Sequence, residues 1–276
     1  MTIQELLKQA ADYLTQNNID EPQSNAEFLL AHVLNTHRTS VLVNGAKEVS
    51  EQDQETFNTL LDRKAQGEPL AYITGTQDFC GHTFIVDSDV LVPRPETEEL
   101  VQECIERLNK PQRILDMCTG SGCIAISLGL KFRNTEVIGS DNSMPALLTA
   151  KKNGENLRAE NVQFIYGDLF ENIYGTFDLI VTNPPYIPSA VIPTLSVEVG
   201  YEPVSALDGG ENGLDIVEQI ILYSQDFLES GGLFAIEYGK GQEQDIVKIF
   251  DKNIWQTPEI KKDIFGINRF IFATKK

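Results

Sequence analysis

Apolar residues at Ile3, Leu6, Leu7, Ala10 and Leu14 recur at i, i+3, i+4, i+7 and i+11. That is the stripe of a 3.6-residue period, and it predicts an amphipathic helix at the start of the chain. Ser24 and Glu27 have capping-box spacing ahead of Phe28, Leu30, Val33 and Leu34, and Ser50 with Asp53 opens a similar run through Phe57, Leu60 and Leu61. The helical rhythm holds to about residue 75, so a small helical bundle is expected over 1–79. It shows no chemistry of its own, and its expected part is docking a macromolecular partner. Phe84, Val86, Val90 and Val92 then alternate around Asp87-Ser88-Asp89, which predicts a β-hairpin connector over 80–92. The stretch Pro93 to Glu99 stiffens the chain and offers Thr97 or a neighbouring acid as the start of a helix through Leu100, Val101 and Ile105.

From residue 113 the pattern changes. Short β-rich runs, Ile114 to Met117, Val137 to Ser140, Val162 to Tyr166, Phe177 to Val181, Leu233 to Tyr238 and Phe270 to Ala273, are separated by helical stretches. Such alternation implies a parallel sheet covered on both faces. Residues 80–276 are therefore expected to form a doubly wound, Rossmann-like α/β domain whose ligand crevice lies beyond the carboxyl ends of its strands.

Composition narrows the choice of partner. Of 276 residues, 41% are hydrophobic and 23% charged, enough for a sizeable core and against wholesale disorder. Lys and Arg number 22 against 41 Asp and Glu, a formal charge of 22 − 41 = −19. That surface tilts against a nucleic-acid ligand, and the basic pairs Arg63-Lys64, Lys151-Lys152, Lys261-Lys262 and Lys275-Lys276 are scattered. Cys80, Cys104, Cys118 and Cys123 lack the spacing of a zinc site or disulfide scaffold, and His82 beside Cys80 has no further ligand near it, so no metal is expected. No apolar run approaches membrane-spanning length and the N-terminus has no uncharged core. A cytoplasmic protein, monomeric by default and without membrane contact, is expected.

The run Ile114-Leu115-Asp116-Met117 leads into Cys118-Thr119-Gly120-Ser121-Gly122-Cys123 and then a helix. Two glycines let the backbone approach a ligand closely at a helix N-terminus. Gly120, Gly122 and Ala125 also satisfy a dinucleotide pattern, with Asp141 at the distance of a ribose-binding acid. Charge separates the two possibilities. S-adenosyl-L-methionine carries a sulfonium and an ammonium, which suit an acid such as Asp116 better than a pyrophosphate does. Asp141 would then accept from the ribose hydroxyls and Asp168 from the adenine amino group, although Asp168 also reads as a plain cap.

Asn183-Pro184-Pro185-Tyr186 follows the apolar run Phe177 to Thr182. A planar amide or amino-base nitrogen is a poor nucleophile because its lone pair is delocalised, so an enzyme that alkylates it must hold a nitrogen moving toward tetrahedral geometry. The Asn183 side-chain oxygen and the Pro184 carbonyl can accept its two N–H groups, while the prolines keep the loop extended. Tyr186 is expected to cover the acceptor's flat face and exclude water.

Together with Arg94-Pro95-Glu96-Thr97-Glu98, Glu68-Pro69-Leu70-Ala71-Tyr72, Tyr201-Glu202-Pro203 and Asp208-Gly209-Gly210, these motifs make the whole chain resemble the HemK-type protein-(glutamine-N5) methyltransferases. The resemblance implies a class I S-adenosylmethionine-dependent fold and peptide chain release factors as protein substrates. It also implies that Cys118, Thr119, Gly120, Ser121, Gly122 and Asp141 hold the cofactor, with Asn183 touching it as well, and that Asn183, Pro184, Pro185 and Tyr186 grip the glutamine of a Gly-Gly-Gln loop. Leu169 stands where some members carry an aromatic residue, and is expected to pack against the adenine. The Asn-Pro-Pro-Tyr box alone is shared with adenine-N6 nucleic-acid methyltransferases, and an adenine-N6 or guanine-N2 enzyme is the nearest alternative. An NAD oxidoreductase would leave that box unexplained, and a non-catalytic ribosome-associated module would not need Asn183. Glu198, Glu202 and Glu237, on or near presumed strand ends, could orient loops over the substrate, but in a chain with 41 acids most carboxylates are solvated and these are not taken as catalysts.

Overall fold

The first apolar stripe forms helix α1 (Ile3–Gln16), with all five of its stripe residues buried. Thr2 caps it: the hydroxyl accepts from the Glu5 N–H while the Glu5 carboxylate accepts from the Thr2 N–H at 2.9 Å. Helices α2 (Pro22–Val33), α3 (Arg38–Val43), α4 (Glu51–Ala65) and α5 (Leu70–Thr74) follow. Ser50 caps α4 through the Asp53 N–H. Helix α2, by contrast, does not start at Ser24. Pro22 takes the first helical position behind Glu21, where a proline forfeits no intrahelical bond. Glu27 is buried against Arg38 at 2.7 Å instead of closing a capping box.

The computed structural model describes residues 1–276 as two units, Met1–Thr76 with Ser196–Tyr201, and Gln77–Leu195 with Glu202–Lys276. Within the first, buried Lys64 donates to Glu198 at 3.1 Å, and a Cβ at Gly67 would stand 2.7 Å from Val197. Those contacts hold the short segment on the helices.

A hairpin of β1 (Thr76–Phe79) and β2 (His82–Ile85) turns at Cys80 and Gly81, both at positive φ. This corrects the connector expected over 80–92. Val86, Val90 and Val92 are buried, but they lie on an irregular segment around a turn and not on a second strand. Their alternation records an extended backbone laid on a core, which has the same period as a strand.

The main sheet and its helices comprise α6 (Pro95–Arg107), β3 (Arg113–Met117), α7 (Cys123–Lys131), β4 (Glu136–Asp141), α8 (Met144–Asn156), β5 (Val162–Tyr166), β6 (Phe177–Thr182), α9 (Asp215–Phe227), β7 (Leu228–Glu237), α10 (Glu243–Ile249), β8 (Glu259–Lys262) and β9 (Asn268–Thr274). Strand order is β5-β4-β3-β6-β7-β9-β8. The five strands from β5 to β7 are parallel, whereas β9 runs antiparallel to β7 and β8 antiparallel to β9. The sheet is thus mixed and not wholly parallel as expected. A short turn between β8 and β9 can close only an antiparallel pair, since parallel neighbours need a long crossover.

Period-two alternation assigns the two faces. Ile114, Leu179, Val181 and Ala235 pack with Leu100, Val101 and Cys104 of α6 and Ile124 and Ile126 of α7. Leu115, Met117, Ile180, Phe234 and Ile236 pack on the other face with Val217, Ile220 and Ile221 of α9 and Ile246 of α10. Strand order reverses at β3, which leaves a crevice at the carboxyl ends of β3, β4 and β6. No helix is long and apolar enough to cross a membrane.

Candidate active site

A cavity of about 320 Å³ occupies that crevice, within the size range of small-molecule sites. Its wall includes Cys118 to Ser121 after β3, Ser140 to Ser143 at the end of β4, Gly167 to Leu169 after β5, and Asn183 and Pro185 after β6. Arg94 and Thr97 close it from the start of α6.

The turn after β3 needs its glycines for different reasons. Gly122 has φ +79°, and a Cβ there would stand 2.9 Å from the Phe164 ring and 3.1 Å from Ala150 and Ile126. Gly120 has φ +53°, but a Cβ there would meet no protein atom within 4 Å, because the residue borders the open cavity. Asp141 ties this turn to the next one, accepting from the Gly120 N–H at 2.8 Å and the Ser143 N–H at 2.9 Å. Burial pushes its carboxyl above the ordinary range. Asp168 is exposed on the cavity wall, and Leu169 lines it at φ +49° while resting partly on the core beneath.

Asp116 does not face the cavity, contrary to the role predicted for it. It is fully buried, and one carboxylate oxygen accepts from the Thr119 hydroxyl at 2.5 Å and the Ala125 N–H at 3.0 Å. Ala125 is the third residue of α7, so Asp116 caps that helix from a neighbouring strand. Alternation explains the direction: if Leu115 and Met117 face α9, Asp116 must face α7. Burial pushes its carboxyl up to about 7.

The charges around the cavity discriminate between cofactors. Asp89, Asp141, Asp168 and Asp208 line it against a single guanidinium, Arg94, which already meets both oxygens of buried Glu202 at 2.7 and 2.8 Å. Such a wall opposes a pyrophosphate and matches a ligand bearing a sulfonium and an ammonium. The buried Ser140 hydroxyl, also on the wall, has no protein partner. The residues present therefore fit S-adenosyl-L-methionine, and the turn at Gly120, the Asp141 corner and the Asp168-Leu169 lip are the residues that would hold it.

The Asn183 box is anchored from behind. Asn183 lines the cavity, and its amide nitrogen donates to the Thr97 hydroxyl at 3.1 Å. Thr97 in turn donates to Glu237 at 2.7 Å. Pro184 is buried and, unlike Asn183 and Pro185, is not among the residues that line the cavity. Tyr186 also departs from its expected place. Its ring packs on the α9 side of the core, its hydroxyl meets Glu237 at 3.3 Å and its carbonyl accepts from Gln242 at 2.9 Å. It braces the box and does not form the cavity wall.

Thr97 does not start α6, as the sequence suggested. Arg94 is the N-cap and Pro95 the first helical residue, leaving Thr97 inside the helix. There it shares the buried face with Leu100, Val101 and Cys104, at i, i+3, i+4 and i+7. Glu237 is not one of the solvated acids that a chain this acidic leads one to expect: it is buried, and desolvation pushes its carboxyl up to about 7. One signal was available: alternation along Leu233, Ala235 and Glu237 places the acid on the α6 side.

Comparison with known proteins gives the fold and the family. The model of the PrmC N-terminal domain matches residues 5–75, and that of the methyltransferase small domain matches residues 96–194. Among solved structures, a methyltransferase from Pyrococcus furiosus superposes with TM-score 0.56 at 20% identity, covering 78% of this chain and 98% of its own. The T. thermophilus 16S rRNA N2 G1207 methyltransferase, solved with AdoMet and guanosine, gives 0.54 at 20% identity over 73% and 50%. At that identity the likeness shows the fold. Release factor glutamine methyltransferases are similar over nearly their whole length. That of Nitratidesulfovibrio vulgaris is 37% identical over 99% of this chain and 95% of its own, and that of Geobacter sulfurreducens 36% over 98% and 95%. The protein belongs to the release factor glutamine methyltransferase family and is an S-adenosyl-L-methionine-dependent methyltransferase.

Proposed function

We propose that the protein methylates the side-chain amide nitrogen (N5) of the glutamine in the Gly-Gly-Gln motif of peptide chain release factors. The observation that carries this is the posture of Asn183. Its N–H donates to Thr97, so its oxygen is left for the cavity. An acceptor there suits a substrate that presents N–H groups, as a primary amide does.

The bound cofactor supplies an electrophilic methyl group on a positively charged sulfur. The protein's own part is to hold the nitrogen. Asn183 Oδ1 and the Pro184 carbonyl accept its two N–H groups, which steers the lone pair out of conjugation and toward the methyl group. Pro184 and Pro185 contribute no backbone N–H that could compete for those oxygens. As the new N–C bond forms, the methyl–sulfur bond would break and S-adenosylhomocysteine would leave as a neutral thioether, while the nitrogen would give up one proton to solvent and become a secondary amide. The acidic balance of the chain, −19, favours a protein acceptor over a phosphate backbone.

The test is methyl transfer from radiolabelled cofactor to a release factor, wild type or with the Gly-Gly-Gln glutamine changed to alanine. Label on the wild type alone, mapped to that glutamine, is the expected result. Equal label on the alanine variant would overturn the substrate, and transfer to nucleic acid would favour an adenine-N6 or guanine-N2 activity.

A further inference from the structure

We infer that Thr97 and Glu237 are positioning residues that fix which way the Asn183 amide faces, so that its oxygen and not its nitrogen meets the acceptor. This rests on the glutamine-methylating function proposed above, and concerns two residues that do not themselves touch the reacting atoms.

A side-chain amide is nearly symmetric in shape, and its two orientations differ only in where the donor and the acceptor lie. Something must choose between them. Thr97 is 2% exposed and Glu237 1% exposed, so neither takes its partner from bulk water. A hydroxyl has one hydrogen. Thr97 gives that hydrogen to the Glu237 carboxylate at 2.7 Å and can then only accept from Asn183, which it does at 3.1 Å. The Asn183 nitrogen is thereby committed to Thr97, and its oxygen to the cavity. The second oxygen of Glu237 accepts from the Tyr186 hydroxyl at 3.3 Å. One carboxylate thus governs both ends of the substrate box.

The chain of donors reverses if Glu237 takes up a proton. A carboxylic acid can donate to the Thr97 oxygen, which frees the Thr97 hydrogen for Asn183 Oδ1. The amide then turns and shows its N–H groups to a substrate that also brings N–H groups. Three groups besides Thr97 face Glu237. Arg269 from β9 favours the carboxylate, the Tyr186 hydroxyl does the same by hydrogen bonding, and Glu96 at the start of α6 opposes it. Arg269 is itself shared with Asp263 at 3.4 Å. Burial outweighs them and holds the carboxyl near 7, where its protonation falls within the working range of an assay.

The experiment measures kcat and KM for a release factor substrate between about pH 6 and pH 8.5, using wild type, Thr97→Val, Thr97→Ser and Glu237→Gln. Thr97→Val keeps the shape and loses the hydroxyl. It is expected to lower kcat about 10- to 100-fold, with KM for the cofactor changed by no more than roughly threefold. Thr97→Ser restores the hydroxyl and most of the rate. Wild-type kcat falls on the acid side, and Glu237→Gln, which cannot titrate, loses that limb. A Thr97→Val enzyme at wild-type kcat, a serine variant no faster than valine, or an acid limb that persists in Glu237→Gln would each overturn the inference. If Thr97→Val does not fold, the serine and glutamine variants decide it by the pH profile. A second readout is independent of the substrate: the side-chain 15N–1H signals of Asn183 shift with pH in wild type and stay constant in Glu237→Gln. If wild type leaves the glutamine unmodified while those signals behave as described, the proposed function fails and the positioning role stands. If the signals do not titrate, the positioning role fails whatever the substrate.

Discussion

Alanine at Gly120 and at Gly122 separates the two tasks of the turn after β3. Both glycines have positive φ, +53° and +79°, and a Cβ in that region costs about 1–2 kcal/mol at either position. At Gly122 the added methyl also collides with Phe164 at 2.9 Å and with Ala150 and Ile126 at 3.1 Å. Overpacking of that kind adds about 1–3 kcal/mol. Gly122→Ala should therefore lose about 2–5 kcal/mol, against about 1–2 kcal/mol for Gly120→Ala. The order reverses for the cofactor. At Gly120 the methyl meets no protein atom and projects into the cavity, so affinity for S-adenosyl-L-methionine should drop more than about tenfold, or about 1.4 kcal/mol. Thermal unfolding can be followed by the fluorescence of Trp255, the single tryptophan, which is buried. Calorimetric titration with the cofactor, below both melting transitions, gives the affinity. Equal destabilisation of the two variants, or wild-type affinity in Gly120→Ala, would refute the division of labour.

Phe234 is fully buried, with its ring edge-to-face with Phe250 and Trp255 at 5.9 Å each. Phe234→Ala should cost about 3–5 kcal/mol in urea unfolding, and a loss below about 1 kcal/mol would contradict that packing. Burial raises Asp116 and Glu237 from 3.8 and 4.5 to about 7, so the folded chain retains protons that the unfolded chain releases. Their contribution to stability is full at low pH and is lost as pH rises through about 7. The unfolding free energy of Glu237→Gln relative to wild type should accordingly move in the variant's favour between about pH 5 and pH 8, and a constant difference would contradict it. In Lys64→Met the segment Ser196–Tyr201 loses the 3.1 Å ion pair to half-exposed Glu198. Global stability should change by less than about 1 kcal/mol, while limited proteolysis should begin to cut between residues 196 and 201. Unchanged resistance there would show that the ion pair does not hold the segment.

Local pattern carried much of this fold. Strands β3 to β6 are short apolar runs with turn residues behind them, and the sequence places them within a residue or so. Strand β8 is different: Glu259-Ile260-Lys261-Lys262 is charged and sits at the sheet edge, where one neighbour suffices and no hydrophobic run is needed. The cavity wall from Cys118 to Ser121, with Asp141 and Asn183, is legible because each follows a strand end. The supports behind it are harder to see. Thr97 and Glu237 meet at 2.7 Å across 140 positions of sequence, and no local motif announces that contact. Asp116 was a different kind of miss, since alternation along β3 already turned it toward α7.

The central claim is that Asn183 serves the acceptor nitrogen and not the cofactor. Single-turnover methyl transfer by Asn183→Ala, with the cofactor dissociation constant measured beside it, tests this most directly. Loss of one preorganised partner in the transition state predicts a rate lower by about 10²- to 10³-fold, with cofactor affinity within roughly threefold of wild type. Transfer at the wild-type rate, or a loss traced wholly to weakened cofactor binding, would contradict it.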